Sequence, residues 1–349
     1  MNTPVTATPD KLAQRRTFAG VMIMPLFMLI ALPLAFIGLF HSPSPNHMNI
    51  AVIDSSPAST GIQSGLSSSV GEQFDVTLQP NASSAREALA NLDIRGAYDP
   101  STGELFTAGA GNVQASAAVQ QVFAPIAQSQ GIDLTVVDTN PLPSGDSVGS
   151  GLLYLGVGSI FGGFLTATVV AIAVPGLARK WQVTTITVMS LVAAAVQVFY
   201  GWKLFGMFEG QAIPAFFTLF GIAVVCGLVN LGGIGLIGPA MIPISLLIFM
   251  MLGIPASGLA IPLDLAPSFY GAIHPFLPTS SGFDALKRIV YFDGHGIAGN
   301  FVTLGIWALI GAALIWWGSH RDSKPTENVW SDPELDEAVV ATGAAVAVG

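Results

Sequence analysis

The residues able to do chemistry are few in this sequence, and the densest group lies near its C-terminal end. In PFLPTSSGFDALKRIVYF (275–292) the charged and phenolic side chains Asp284, Lys287, Arg288 and Tyr291 sit among apolar neighbours. A helix opening at Ser281, with Asp284 three residues on as a shortened capping-box partner, accounts for the spacing. Phe283, Leu286, Ile289, Val290 and Phe292 would supply its apolar surface. Lys287 and Arg288 would reach lipid phosphates, and Tyr291 would lie at headgroup level. The group is therefore a candidate outer gate or lipid contact. A second group, Arg179-Lys180-Trp181, is a candidate contact for a partner subunit, or ordinary basic anchoring beside a membrane.

Other chemistries are excluded by inspection. A phosphate-cradling loop needs Gly-Lys-Ser/Thr, and the five lysines follow Asp10, Arg179, Trp202, Leu286 and Ser323. Any ATP hydrolysis would belong to a partner, and the chain is not expected to be an enzyme. His41, His47, His274, His295 and His320 show no paired metal-ligand spacing, and the single cysteine, Cys226, excludes Cys-type zinc sites. Neither a Gly-x-Ser-x-Gly elbow nor a basic patch for nucleic acid is present. No catalytic residue, cofactor or metal is expected.

The elements that must position the two groups follow from composition. Of 349 residues 52% are hydrophobic and 9% charged, against roughly 25% charged in soluble domains. The apolar residues form long uncharged runs, which read as membrane spans. Thr17–Phe40, 24 residues without a charge, reads as an uncleaved signal anchor rather than the rival cleaved signal peptide, whose apolar region is usually about 7–15 residues. Gly151–Ala178, Trp181–Trp202 and Gly296–Gly318 each suit one span. Gly210–Leu263 is too long for one helix and suits two, with the turn between Leu231 and Pro239. Pro262, Pro267, Pro275 and Pro278 break the apolar stretch at about 255–295 into an interfacial helical hairpin lying in the outer membrane face. One short helix is expected at Leu263–Ile273. The fold class is therefore mainly α: a polytopic membrane protein with six transmembrane helices. Its spans hold no acid, histidine or arginine, so no intramembrane ion relay is evident.

Between His41 and Ser150 lie ten acids and two bases, Arg86 and Arg95, so most of the net charge of −9 sits there. The pattern is that of a small α/β domain, residues 41–150. Strands are expected at Asn49–Asp54, Phe74–Leu78, Asp93–Tyr98, Glu104–Ala108 and Ile132–Val137. Helices are expected at Thr60–Gln73, at Ser84–Leu92 (capped by Ser83 or Ser84) and at Asn112–Gln130. With residues 1–16 cytoplasmic, seven bases fall inside (Lys11, Arg15, Arg16, Arg179, Lys180, Arg321, Lys324) and three outside (Lys203, Lys287, Arg288). That bias gives cytoplasmic termini, an exported domain and an acidic cytoplasmic tail, 319–349, expected to be disordered. Gln197 and Asn230 read as interhelical hydrogen-bonding groups.

Three stretches carry a family resemblance: NIAVIDSSP (49–57) after the anchor, REALANLDIRGAYDP (86–100), and PFLPTSSGFDALKRIVYF before the last span. The layout resembles the membrane subunits of type-2 ABC exporters, particularly their phage-infection-protein (YhgE/Pip-like) branch. The resemblance implies a homo- or heterodimeric permease-like body in a bacterial plasma membrane. It would export a hydrophobic or amphipathic substrate with energy from an ATP-binding-cassette subunit. The chain departs from that pattern in its inner link, reduced to Ala178–Gln182. The competing reading is a non-transporting envelope protein, a phage receptor or assembly factor whose exported domain binds a partner.

Overall fold

The structure is a computed structural model, and it describes residues 11–40, 43–208 and 210–321. The terminal stretches expected to be cytoplasmic therefore lie largely outside the described residues. The chain is mainly helical, and four of its helical stretches are long and apolar enough to cross a membrane: Gly151–Ala173, Arg179–Leu204, Ala212–Leu252 and Ala298–His320. This marks a multi-pass membrane protein.

Helix α1 (Lys11–Phe40) leads into a five-stranded sheet. Its elements are β1 (Met48–Ile53), α2 (Ser59–Val70), β2 (Phe74–Gln79), α3 (Ala82–Ala90), β3 (Gly96–Asp99), β4 (Glu104–Thr107), α4 (Val113–Ser129) and β5 (Thr135–Asp138). The order is β2-β1-β3-β4-β5, parallel except for the β3–β4 hairpin. β1 alternates between the two faces, as a period of two requires. Ile50 and Val52 join Leu66, Val119 and Phe123 on one side. Ala51 and Ile53 join Ala85, Leu89 and Phe106 on the other. Helix α3 starts two residues earlier than expected, because Asn81 rather than a serine caps it: its Oδ1 accepts from the Ser84 N–H at 2.9 Å.

The sheet does not close its own core. Ala256, Ile261, Leu265, Tyr270 and Leu277 belong to its first apolar cluster, and Phe292 to its second. The core thus extends past the boundaries 41–150 read from composition. Short-range pattern cannot show that a segment more than a hundred residues away completes it.

The helical body comprises α5 (Gly151–Ala173), α6 (Arg179–Phe199), α7 (Ala212–Ile237), α8 (Met241–Leu246), α9 (Ser268–Ile273), α10 (Pro278–Tyr291) and α11 (Ala298–Arg321). The 41-residue stretch Ala212–Leu252 would reach about 60 Å if straight, but it folds back. Gly238 takes φ +67°, a left-handed conformation open to glycine. Beyond it Met241 packs at Gly233, and Ser245 Oγ donates to Asn230 Oδ1 at 2.9 Å. A straight helix would hold residues 230 and 245 about 22 Å apart. The reversal falls at the end of the stretch expected to turn.

Close approach at small residues sets the packing. Gly162 meets Ala193, Gly163 meets Ala223, Gly232 meets Leu314, and Gly311 meets Leu228. Taken with Gly158 at Gln197 and with Asn230 at Phe164 and Thr168, these pairs make α5, α7 and α11 mutually parallel and α6 antiparallel to them. Asn230 ties three helices: Nδ2 donates to Phe164 O at 3.2 Å and Thr168 Oγ1 at 2.8 Å, while Oδ1 accepts from Ser245. Gln197 packs against Gly158. Outward faces stay apolar, with Val188, Met189, Val192 and Val196 exposed on α6. Hydrocarbon is the solvent that suits such a surface.

Candidate functional site

Helix α10 sits where the sheet meets the helical body, and it carries the C-terminal polar group. It begins at Pro278, whose fixed φ and missing N–H suit a first helical position. Ser281 is therefore inside the helix and caps nothing; Ser280 Oγ instead donates to the carbonyl of His274 at 2.7 Å. The segment before it is broken more than expected. In place of one helix over Leu263–Ile273, a 3₁₀ turn at Leu263–Leu265 and the short α9 form, because Pro267 between them lacks a backbone donor.

The expectation that α10 lies on the membrane surface is corrected by its burial. Phe283 packs at Gly156 of α5 and Gly282 at Ile222 of α7, while Asn300 of α11 donates to Asp284 Oδ2 at 3.0 Å. Lys287 is 6% exposed and Asp284 7%. The ammonium is therefore enclosed by protein rather than lying on an outer helix surface. It lies 3.5 Å from Asp284 Oδ1, and the Arg288 Nε–H donates to Oδ2 of the same carboxylate at 2.8 Å.

Three of the four sequence-predicted residues thus form one ionic cluster. Arg288 also reaches the end of α3 and the turn after α10: Nη1 donates to the Asn91 carbonyl at 3.2 Å and to the His295 carbonyl at 3.3 Å. Tyr291 faces a different carboxylate. Its hydroxyl donates to Asp146 Oδ2 at 3.2 Å, and its carbonyl accepts from Asn140 Nδ2 at 3.3 Å. Asp146 in turn caps the start of α5, accepting from the N–H groups of Ser150 (3.1 Å) and Gly151 (2.8 Å).

Burial by itself would raise the Asp284 carboxyl's pKa. Lys287, Arg288 and the hydrogen bonds from Asn300 and Arg288 outweigh that and hold it below the usual carboxylate range. Burial pushes the Lys287 ammonium down. Asp284 opposes the shift, and nearby Arg95 and Arg288 add to it. Tyr291 is raised by burial and by the Asp146 charge.

Sequence reasoning missed Arg95, Asp146, Asp264 and Asn300. Arg95, on the loop into β3, pairs through Nε with Asp264 Oδ2, joining the sheet to the segment before α9. A signal existed. Arg95 is one of two bases in 110 residues, and Asp264 is a lone acid in an apolar stretch. Isolated charges in such settings need partners.

Two cavities border α10. One, of about 110 Å³, is lined by Arg95, His274, Asp284, Lys287 and Arg288 among others. The second, of about 230 Å³, lies between residues 109–114, the entry to α5, Leu259–Ala260 and α10. Lys287 and Gly111 line both.

The other predicted group lies elsewhere. Arg179 opens α6, where Nη1 donates to Gln182 Oε1 at 2.8 Å and the guanidinium lies beside Gly235 near the end of α7. Lys180 stands over the Trp181 ring, 5.9 Å from its centroid, and both are exposed. Gly235 and Ile222, the α7 contacts of the two groups, are 13 residues apart, so the groups are separated by about 20 Å along α7. Against known proteins, the chain matches no family model, no curated protein and no solved structure.

Proposed function

We propose that this chain is a permease-like membrane subunit of an ABC-type exporter, moving a hydrophobic or amphipathic substrate outward with energy from a separate ATPase. The observation that carries the reading is the mechanical joint at α10. One buried helix is packed into α5, α7 and α11 and bonded to the sheet region through Arg288, Tyr291 and Phe292. Movement of the helical body is thereby transmitted to the sheet.

The reading takes six crossings: α1, α5, α6, α7, the α8 stretch and α11. Six alternating crossings require α5, α7 and α11 to be parallel, and the glycine contacts agree. Arg179, Gly235 and Gly318 then share the cytoplasmic end, with α10 and an exported α/β domain at the other. The layout's resemblance to the phage-infection-protein branch of type-2 exporter subunits favours a dimer in a bacterial plasma membrane. The reading further requires that the driving energy be supplied from outside this chain, since no phosphate-cradling loop is present.

Affinity purification of the full chain in mild detergent tests the proposal. An ATP-binding subunit should co-purify, and Arg179→Glu/Lys180→Glu should release it. A chain that never retains such a subunit, and whose deletion leaves efflux unchanged, would refute the reading.

One observation favours a non-transporting envelope protein instead. The α5–α6 link spans 174–178, and the α7–α8 turn spans 238–240. Both offer an ATPase little docking surface. In that case deleting the sheet region should abolish function while membrane insertion persists.

A further inference from the structure

The charges around α10 are unevenly partnered. Arg95, Lys287 and Arg288 bring three positive charges together, against the carboxylates of Asp264 and Asp284. Asp146 carries a third negative charge, but it contacts the Tyr291 hydroxyl and the first N–H groups of α5 and none of the three bases. Lys287, the most buried of the three bases, shares its one carboxylate with Arg288. Its ammonium has three donors and one carboxylate contact, at 3.5 Å. A buried cation so thinly partnered is costly unless an anion joins it.

Lys287 also lines the cavity of about 230 Å³. Val113, Leu153, Tyr154, Leu259 and Ala260 give it apolar walls. At its rim Val148 is 75% exposed and Tyr154, on the first turn of α5, 69%. It therefore opens beside the first turn of a membrane-crossing helix. A buried cationic residue in the lining, apolar walls and an opening beside the first turn of α5 together describe one ligand shape.

We infer that this cavity binds a single-chain anionic amphiphile, its phosphate or carboxylate head against Lys287 and its tail leaving past Tyr154 and Val148. The site is independent of whether an ATPase drives the chain. Arg95 and Arg288, behind Lys287 in the smaller cavity, keep the local field positive without touching the head.

Equilibrium binding of radiolabelled palmitoyl lysophosphatidate to the full chain, held in dodecyl maltoside at constant concentration, tests the site. One saturable site per chain is expected, at least tenfold tighter than for zwitterionic lysophosphatidylcholine. The paired change Lys287→Met/Asp284→Asn removes both charges and should weaken binding at least tenfold. Ala260→Phe fills the cavity with Lys287 intact and should do the same, so it decides the matter should the paired variant fail to fold. Val188→Ala, on the exposed face of α6, should leave lipid binding unchanged. Undiminished binding to the cavity-filled variant would overturn the inference, as would equal affinity for the zwitterionic lipid. Complete displacement of the probe by millimolar inorganic phosphate would also overturn it, by showing a free-anion pocket that makes no use of the tail.

Discussion

The two ends of the helical body carry similar residues in opposite conditions. At the α10 end, Lys287 and Arg288 are enclosed by protein and tied to Asp284, with Arg288 reaching across to the end of α3. At the α6 end, Arg179 and Lys180 open a helix at the surface, and Lys180 and Trp181 are exposed. The same charge does different work in the two places. Buried, it fixes the position of one element against others, since no other arrangement satisfies it. Exposed, as at Lys180, it is screened and contributes little to the fold, and it faces outward where lipid or a partner would meet it. Stability should therefore be sensitive at one end and indifferent at the other.

The largest effect is expected from Asp284→Ala. It leaves Lys287 buried without its carboxylate and removes the acceptor of Arg288 and Asn300. Breaking a buried pair in this way costs about 3–5 kcal/mol, readable as a lowered melting temperature of the detergent-solubilised chain. The pH dependence has a definite sign. The Asp284 carboxyl titrates below its ordinary range in the folded protein. Its contribution is complete above the ordinary carboxylate pKa of about 3.9 and is lost as pH falls toward the depressed folded value. The melting-temperature gap between the native chain and Asp284→Asn should therefore be widest near pH 7 and shrink by pH 3. A gap that stays constant would mean that the carboxylate's charge is not what holds α10.

Tyr291→Phe should come next. It deletes one hydrogen bond to the Asp146 carboxylate and keeps the ring, and bonds to charged groups contribute about 1.5–3 kcal/mol. Hydrogen exchange at the sheet-facing end of α10 and at the start of α5 would report the loosening directly. Smaller again is Asn230→Leu in the membrane-embedded region. It removes bonds to Phe164, Thr168 and Ser245, and interhelical bonds in lipid average about 0.6 kcal/mol each, with about 1.7 as the upper end. If Asn230→Leu proved more damaging than Asp284→Ala, the contrast between the two ends would give way to a polar core in the middle of the bundle.

How much of this could be read from the chain alone differs by region, for physical reasons. Membrane helices announce themselves locally, because hydrocarbon demands uninterrupted apolar runs. So α5, α6 and α11 fall close to their expected bounds. The turn at Gly238 was confined to a short stretch because glycine suits its backbone. Of the strands, β1, β2 and β4 lie within a residue or so of expectation, while β3 and β5 begin three residues later than expected. The burial of α10 was not legible. Its sequence is amphipathic, and a half-apolar helix fits a membrane surface as well as a crevice between a sheet and a bundle. Only tertiary partners decide, and Gly156, Ile222 and Asn300 come from three separate helices. Of the candidate group, the identity of Asp284, Lys287, Arg288 and Tyr291 could be read in advance, but not their partners Asp146 and Asn300, 138 residues upstream and 16 downstream of Asp284 respectively.

The smallest effect is the one that isolates function from fold. Lys180→Gln changes one exposed charge at the start of α6, where the ammonium stands 5.9 Å from the Trp181 ring and Lys180 makes no ion pair among the described residues. Exposed substitutions of this kind stay within about 0.5 kcal/mol, so the melting temperature should not move measurably. If Arg179, Lys180 and Trp181 meet an ATP-binding subunit, the same variant should weaken co-purification of that subunit, because a charge at the rim of an interface acts on association even when the fold ignores it. The loss should deepen as ionic strength falls, since screening hides such charges within a Debye length of about 10 Å at 0.1 M salt. A variant that keeps both its stability and every partner would leave these residues as membrane anchors, and would leave α10 as the only end of the body where charge has a specific task.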